Sequence, residues 1–214
     1  MKDQPENDNL GDLKKSCVGW FRLAELVTRR EKEKALSLYR LISHSFDDKA
    51  YVLQVEGDIL WALQDENALE KYSQAAYLYK KEKKFLSAAA IYEHTYLLKP
   101  ENINNIKSLI LIYLLLSWPE KFEQRFLNFI ELEKKELISQ ETFFSFVKNI
   151  FEFATNSSNV NLKYLELDNI FEDQTINEHK WVIKSIINLL KKQKSDSYEN
   201  ILKYCLDNNL NFNA

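Results

Sequence analysis

Asn67-Ala-Leu-Glu-Lys-Tyr-Ser-Gln-Ala-Ala-Tyr-Leu-Tyr79 decides the fold, because two registers of nearly equal spacing meet in it. Read toward the N-terminus, Ala68, Tyr72 and Ala75 repeat Ala35, Tyr39 and Ile42 at an offset of 33 (68−35, 72−39, 75−42). Read toward the C-terminus, Tyr79, Ala88, Tyr92 and Thr95 recur as Tyr113, Phe122, Phe126 and Phe129 at an offset of 34 (113−79, 122−88, 126−92, 129−95). A period of this size marks stacked helical pairs, since one pair cannot bury its apolar face alone.

Composition points the same way. The 214 residues include only three Gly and three Pro, well under the roughly 7% and 5% of average usage, so turns are few and helices many. No run alternates apolar and polar residues between turn signals, and no Asn-Gly or Asp-Gly hairpin is present. All-α is the expected class. With 29 basic and 32 acidic residues the formal charge is −3, which offers no broad positive field to a nucleic acid. Lys80-Lys81-Glu82-Lys83-Lys84 and Lys191-Lys192-Gln193-Lys194 fall at expected helix ends, where Lys complements the helix dipole.

The two cysteines, Cys17 and Cys205, form no CxxC and fit small buried hydrophobes in a reducing compartment. The start, Met1-Lys-Asp-Gln-Pro-Glu-Asn-Asp-Asn9, is too polar for a signal peptide. Leu109-Ile-Leu-Ile-Tyr-Leu-Leu-Leu116 is far shorter than the roughly 20 residues a bilayer span needs. We therefore expect a cytoplasmic protein, or one exported without a cleavable signal, with no membrane partner.

Working outward along the chain, residues 1–10 lack apolar periodicity and read as a disordered arm. Helices are expected at about 13–30, around 35–42, and at 49–63, the last opened by the Ser45-Phe-Asp-Asp48 cap. The shared fourth helix follows, then one at 85–98 closed by Pro100. Further helices span 103–116 and, with Pro119 at its first position, 119–134. Residues 140–154, 162–171, 176–192 and 197–207 read as helices of a different pattern, and Thr155-Asn-Ser-Ser-Asn159 as a loop. We take 11–134 as a helical repeat array. Residues 135–214 are a C-terminal helical cap over its open end, or a small separate helical domain.

Over residues 17–134 the chain resembles the tetratricopeptide repeat family. Trp20, Ala24, Ala35 and Tyr39 match a first unit, and Gly57, Ala68, Tyr72 and Ala75 a second, each with an inner turn one residue short. The third unit matches best, through Tyr72, Ala76, Tyr79, Ala88, Tyr92 and Pro100. The fourth keeps Tyr113 and Phe126 but carries Phe122 and Phe129 where small residues are usual. Small residues let two helix axes approach, and the aromatics fill the gap to the next unit. The resemblance implies an α-solenoid of antiparallel helix pairs. An all-α protein of another repeat family with Ala-rich contacts reads the same residues.

No catalytic motif stands out. The three glycines form no phosphate loop, and His44, His94 and His179 share no metal-ligand spacing. No Gly-x-Ser-x-Gly elbow exists, and Glu56 and Asp58 do not face each other on a helix. We expect no enzyme, no cofactor and no metal.

What the resemblance implies instead is a groove lined by the first helix of each pair. Carried over by position, its lining is Phe21, Glu25 and Thr28, then Tyr51, Gln54, Asp58 and Trp61, then Ser73 and Tyr77, and last Lys107 and Leu111. Trp61 reads equally as groove or as core. The Lys and Asn clamp with which some members hold C-terminal carboxylates is absent, since Phe21/Glu25, Gln54/Asp58, Ser73/Tyr77 and Lys107/Leu111 stand there. The expected function is a noncatalytic scaffold or adaptor that binds a protein segment in the groove. A dedicated chaperone for a secreted or assembling client is the alternative, and RNA binding by a helical array the reading that the charge disfavours. Oligomeric state is left open.

Overall fold

The computed structural model describes the backbone of residues 7–155 and 181–210, and side chains from Val18 onward within them. Ten α-helices account for the regular structure among these residues, and there is no strand. They are α1 (Asn7–Thr28), α2 (Lys32–Ser43), α3 (Lys49–Ala62), α4 (Asn67–Lys81), α5 (Phe85–Leu98), α6 (Ile103–Leu115), α7 (Pro119–Lys134), α8 (Gln140–Ala154), α9 (Trp181–Gln193) and α10 (Tyr198–Asp207). Consecutive helices pack on one another, α1 on α2 on α3 and α5 on α6 on α7, as a helical repeat would have them. The chain divides into two compact units, Met1–Tyr79 and Lys80–Ala214, so the division falls inside α4. The helices beyond residue 135 share the second unit with α5–α7.

Local chemistry sets most helix ends. Asp48 accepts the Tyr51 amide and starts α3, Asn102 accepts the Asn104 and Asn105 amides at α6, and Ser139 accepts the Thr142 amide at α8. Seven of the ten C-termini share a single device. Arg30, Gln64, Lys83, Ser117, Glu136, Lys194 and Asn209 all adopt positive φ, between 51° and 60°. In six of these turns the next amide reaches back to the last helical turn, as in Glu31 to the Leu26 carbonyl and Asp65 to the Leu60 carbonyl, both at 2.9 Å. This is the left-handed helix stop usually given to Gly; here the chain makes it without one.

α1 begins at Asn7 rather than near residue 13, so the expected arm is helical from that point. The expected helix at 162–171 and most of the Thr155–Asn159 loop lie outside the described residues, as does His179.

In the first unit the core is built from small residues. Ala35, Ala50, Ala68, Ala75 and Ala76 are wholly buried, with Tyr39 and Tyr72 beside them. At Gly57 the helices meet closely: a Cβ there would lie 2.8 Å from the Tyr72 ring. The hydroxyls of these buried tyrosines find acceptors, Tyr39 at the Val52 carbonyl (2.7 Å) and Tyr72 at Asp58 (2.8 Å).

The second unit packs large side chains. Phe122, Phe126, Phe129, Phe143 and Phe151 are all fully buried, and Phe129 stacks on Phe143 with centroids 4.9 Å apart. Here α5–α7 are stitched by Glu93, which accepts the Tyr113 hydroxyl at 2.6 Å and pairs with Arg125, whose guanidinium lies 4.2 Å from the Tyr96 centroid. Glu133, on α7, is buried and accepts the hydroxyls of Ser195 and Ser197 ahead of α10. Cys205 is buried too, and loss of water pushes its thiol up to about 11; the side chain of Cys17 lies outside the described ones.

Candidate partner-binding faces

Seven of the eight residues expected to meet a partner most directly lie in the first unit, and Lys107 lies in the second.

On α3, Tyr51, Gln54, Asp58 and Trp61 fall within about 80° of arc at 3.6 residues per turn, hence on one face. Their fates differ. Tyr51 begins the helix under the Asp48 cap, and its ring meets the edge of Phe46 at 5.6 Å. Phe46 in turn contacts Trp20 at 6.1 Å, and Trp20 contacts Tyr39 at 6.4 Å. Tyr51 keeps 40% of its surface in water and Trp61 keeps 43%, which places Trp61 on the surface rather than in the core.

The polar pair between them is turned to internal use. Gln54 accepts the Tyr79 hydroxyl at 3.1 Å and Asp58 accepts that of Tyr72 at 2.8 Å, while Glu56 holds Lys71 at 3.1 Å. Burial, and then the Asp58 carboxylate, raise the Tyr72 phenol above its ordinary range. Gln54 and Asp58 therefore join α3 to α4. The sequence carried a signal for this that spacing alone did not use: a buried Tyr demands an acceptor.

On α1, Phe21 is 78% exposed. Glu25 is flanked by Arg22 and by Arg29, the latter at 2.6 Å. Thr28 spends its hydroxyl on the Ala24 carbonyl (2.8 Å). On α4, Tyr77 is half exposed, and Ser73 is exposed as well. What α1, α3 and α4 offer outward is thus aromatic surface with its carboxylates already engaged.

In the second unit Lys107 is half-buried, its Nζ 5.9 Å from the Phe129 centroid and 5.2 Å from that of Phe146. Burial pulls its pKa down. It borders a cavity of about 280 Å³ with Glu141, Thr142, Ser145, Phe146 and Asn149 of α8, none of which sequence spacing associated with it. Leu111, expected beside it, is buried. A wider cavity of about 470 Å³ lies between α8 and α10, lined by Phe144, Lys203, Tyr204 and Asp207 among others.

Among the described residues no three His, Cys, Asp or Glu side chains gather as metal ligands, and no helix is long and apolar enough to cross a membrane. His44 is exposed and His94 half-buried. Comparison with protein-family models, with curated proteins and with solved structures finds no match for this chain.

Proposed function

We propose that the chain is a noncatalytic binding scaffold that holds an apolar segment of a partner protein against the α1, α3 and α4 surfaces of its first unit. The observation that carries this reading is the exposure of Phe21, Tyr51, Trp61 and Tyr77, at 78%, 40%, 43% and 51%. Trp and Tyr are the side chains that most often dominate protein interfaces, because they bury large area at little entropic cost. The carboxylates nearby, Glu25 and Asp58, already have internal partners, which favours an apolar segment over a basic one.

The finer architecture belongs to the same proposal: the helices are tetratricopeptide-like pairs arranged as a solenoid. Supporting it, Ala35, Ala68 and Ala88 are fully buried, and left-handed helix stops recur at 34 residues within each unit (64−30, 117−83). Arg30 and Gln64, two such stops, are bonded to each other at 3.2 Å.

Affinity capture with mass spectrometry should return one dominant protein with the intact chain. The W61A/Y77A chain should lose it while keeping its helical circular dichroism. Unchanged capture by that variant removes the assignment. A partner that aggregates unless this chain accompanies it would make the scaffold a dedicated chaperone.

A further inference from the structure

The cavity beside Lys107 holds a cation that forms no ion pair among the described residues. Its Nζ rests on two aromatic rings, Phe129 and Phe146, and no carboxylate among the described residues pairs with it. Half-burial has stripped water from the ammonium, and the rings return only part of that loss. Such a group gains most from an anion brought to it. Ser145 and Asn149 of α8 add neutral hydrogen-bond donors to the wall, while the Thr142 hydroxyl is already engaged with Ser139 at 2.9 Å.

Two features narrow the ligand. At about 280 Å³ the space falls just below the roughly 300–1,000 Å³ of small-molecule sites and suits the end of one side chain. Glu141 also lines it and is exposed. The wall then carries one cation, Lys107, and one anion, Glu141, so a singly charged carboxylate leaves the site closer to neutral than a doubly charged phosphate would.

We propose that this cavity accepts a single Asp or Glu side chain of the bound partner, with Lys107 as the counter-ion and Phe146 as the floor. The proposal rests on the reading that the chain binds a protein segment, and gives the second unit a charged anchor of its own.

The test is an amide-shift titration of the ¹⁵N-labelled full chain with Ac-Gly-Glu-Gly-NH2, with Ac-Gly-Gln-Gly-NH2 and with inorganic phosphate. The Glu peptide alone should shift Lys107, Ser145 and Asn149 saturably. Lys107→Gln should weaken it by about tenfold, and Glu141→Gln should tighten it by about two- to threefold, as expected for removing one exposed like charge. An equal response to the Gln peptide, a stronger one to phosphate, or weaker binding by E141Q overturns the proposal. Glu141 is exposed, so that arm stands even if K107Q fails to fold. The W61A/Y77A chain should bind the Glu peptide as before. Failure of this site therefore leaves the first-unit reading intact.

Discussion

The two units solve the same packing problem with opposite side chains. Residues up to Tyr79 bring helices together through Ala35, Ala50, Ala68, Ala75 and Gly57, and leave Phe21, Tyr51, Trp61 and Tyr77 in water. Residues from Lys80 onward bury Phe122, Phe126, Phe129, Phe143 and Phe151, and leave Trp118 at 44% exposure. Close backbone approach needs small contacts, and beside the buried Tyr39 and Tyr72 the first unit keeps four aromatic side chains at its surface. Aromatic burial in the second consumes the same residue types for stability. The lesson is that an aromatic count says little about binding until one knows which unit has hidden its rings.

The sharpest way to break this contrast is Phe129→Ala. The ring is fully buried against Phe143 and Phe146, and its loss should cost about 3–5 kcal/mol of unfolding free energy in urea titration. Gly57→Ala tests the first unit by the opposite insult. Its Cβ would press on the Tyr72 ring at 2.8 Å, and overpacking of this kind costs about 1–3 kcal/mol. A neutral G57A chain would mean that α3 and α4 do not depend on close approach.

Smaller effects sharpen the picture. Gln64→Gly, at φ 60°, should raise stability by about 1 kcal/mol, because Gly carries no penalty in the left-handed region. Trp61→Ala should move stability by no more than about 0.5 kcal/mol, since the ring is already 43% exposed. If W61A instead destabilised the chain as much as F129A, the exposed aromatics would be structural and the binding surface would be lost. Thiol labelling gives a control within the second unit: with burial holding Cys205 up to about 11, iodoacetamide at pH 8 should leave it unmodified in the native chain and alkylate it in urea.

The sequence alone carried the helices and much of their phasing. Phe85–Leu98, Pro119–Lys134 and Gln140–Ala154 begin and end where Pro, Ser and the apolar period place them, because capping and proline act through a few neighbouring backbone groups. Ala35, Ala68 and Ala88 were legible as buried contacts for the same kind of reason: a repeated small residue at helical spacing has few other uses. Helix stops at Arg30, Gln64 and Glu136 were not, since no Gly announces them and tertiary packing sets the turn.

For the site, periodicity could say which residues share a face of α3 but not which of them remain available. Tyr51 and Trp61 stay partly in water, while Gln54 and Asp58 answer tyrosines 25 and 14 residues away. Lys107 met its ring partners through α7 and α8, and its cavity through α8. Facing is a local, angular property of one helix; availability depends on hydroxyls, rings and carboxylates that reach the same point from distant parts of the chain, and only the folded packing decides that.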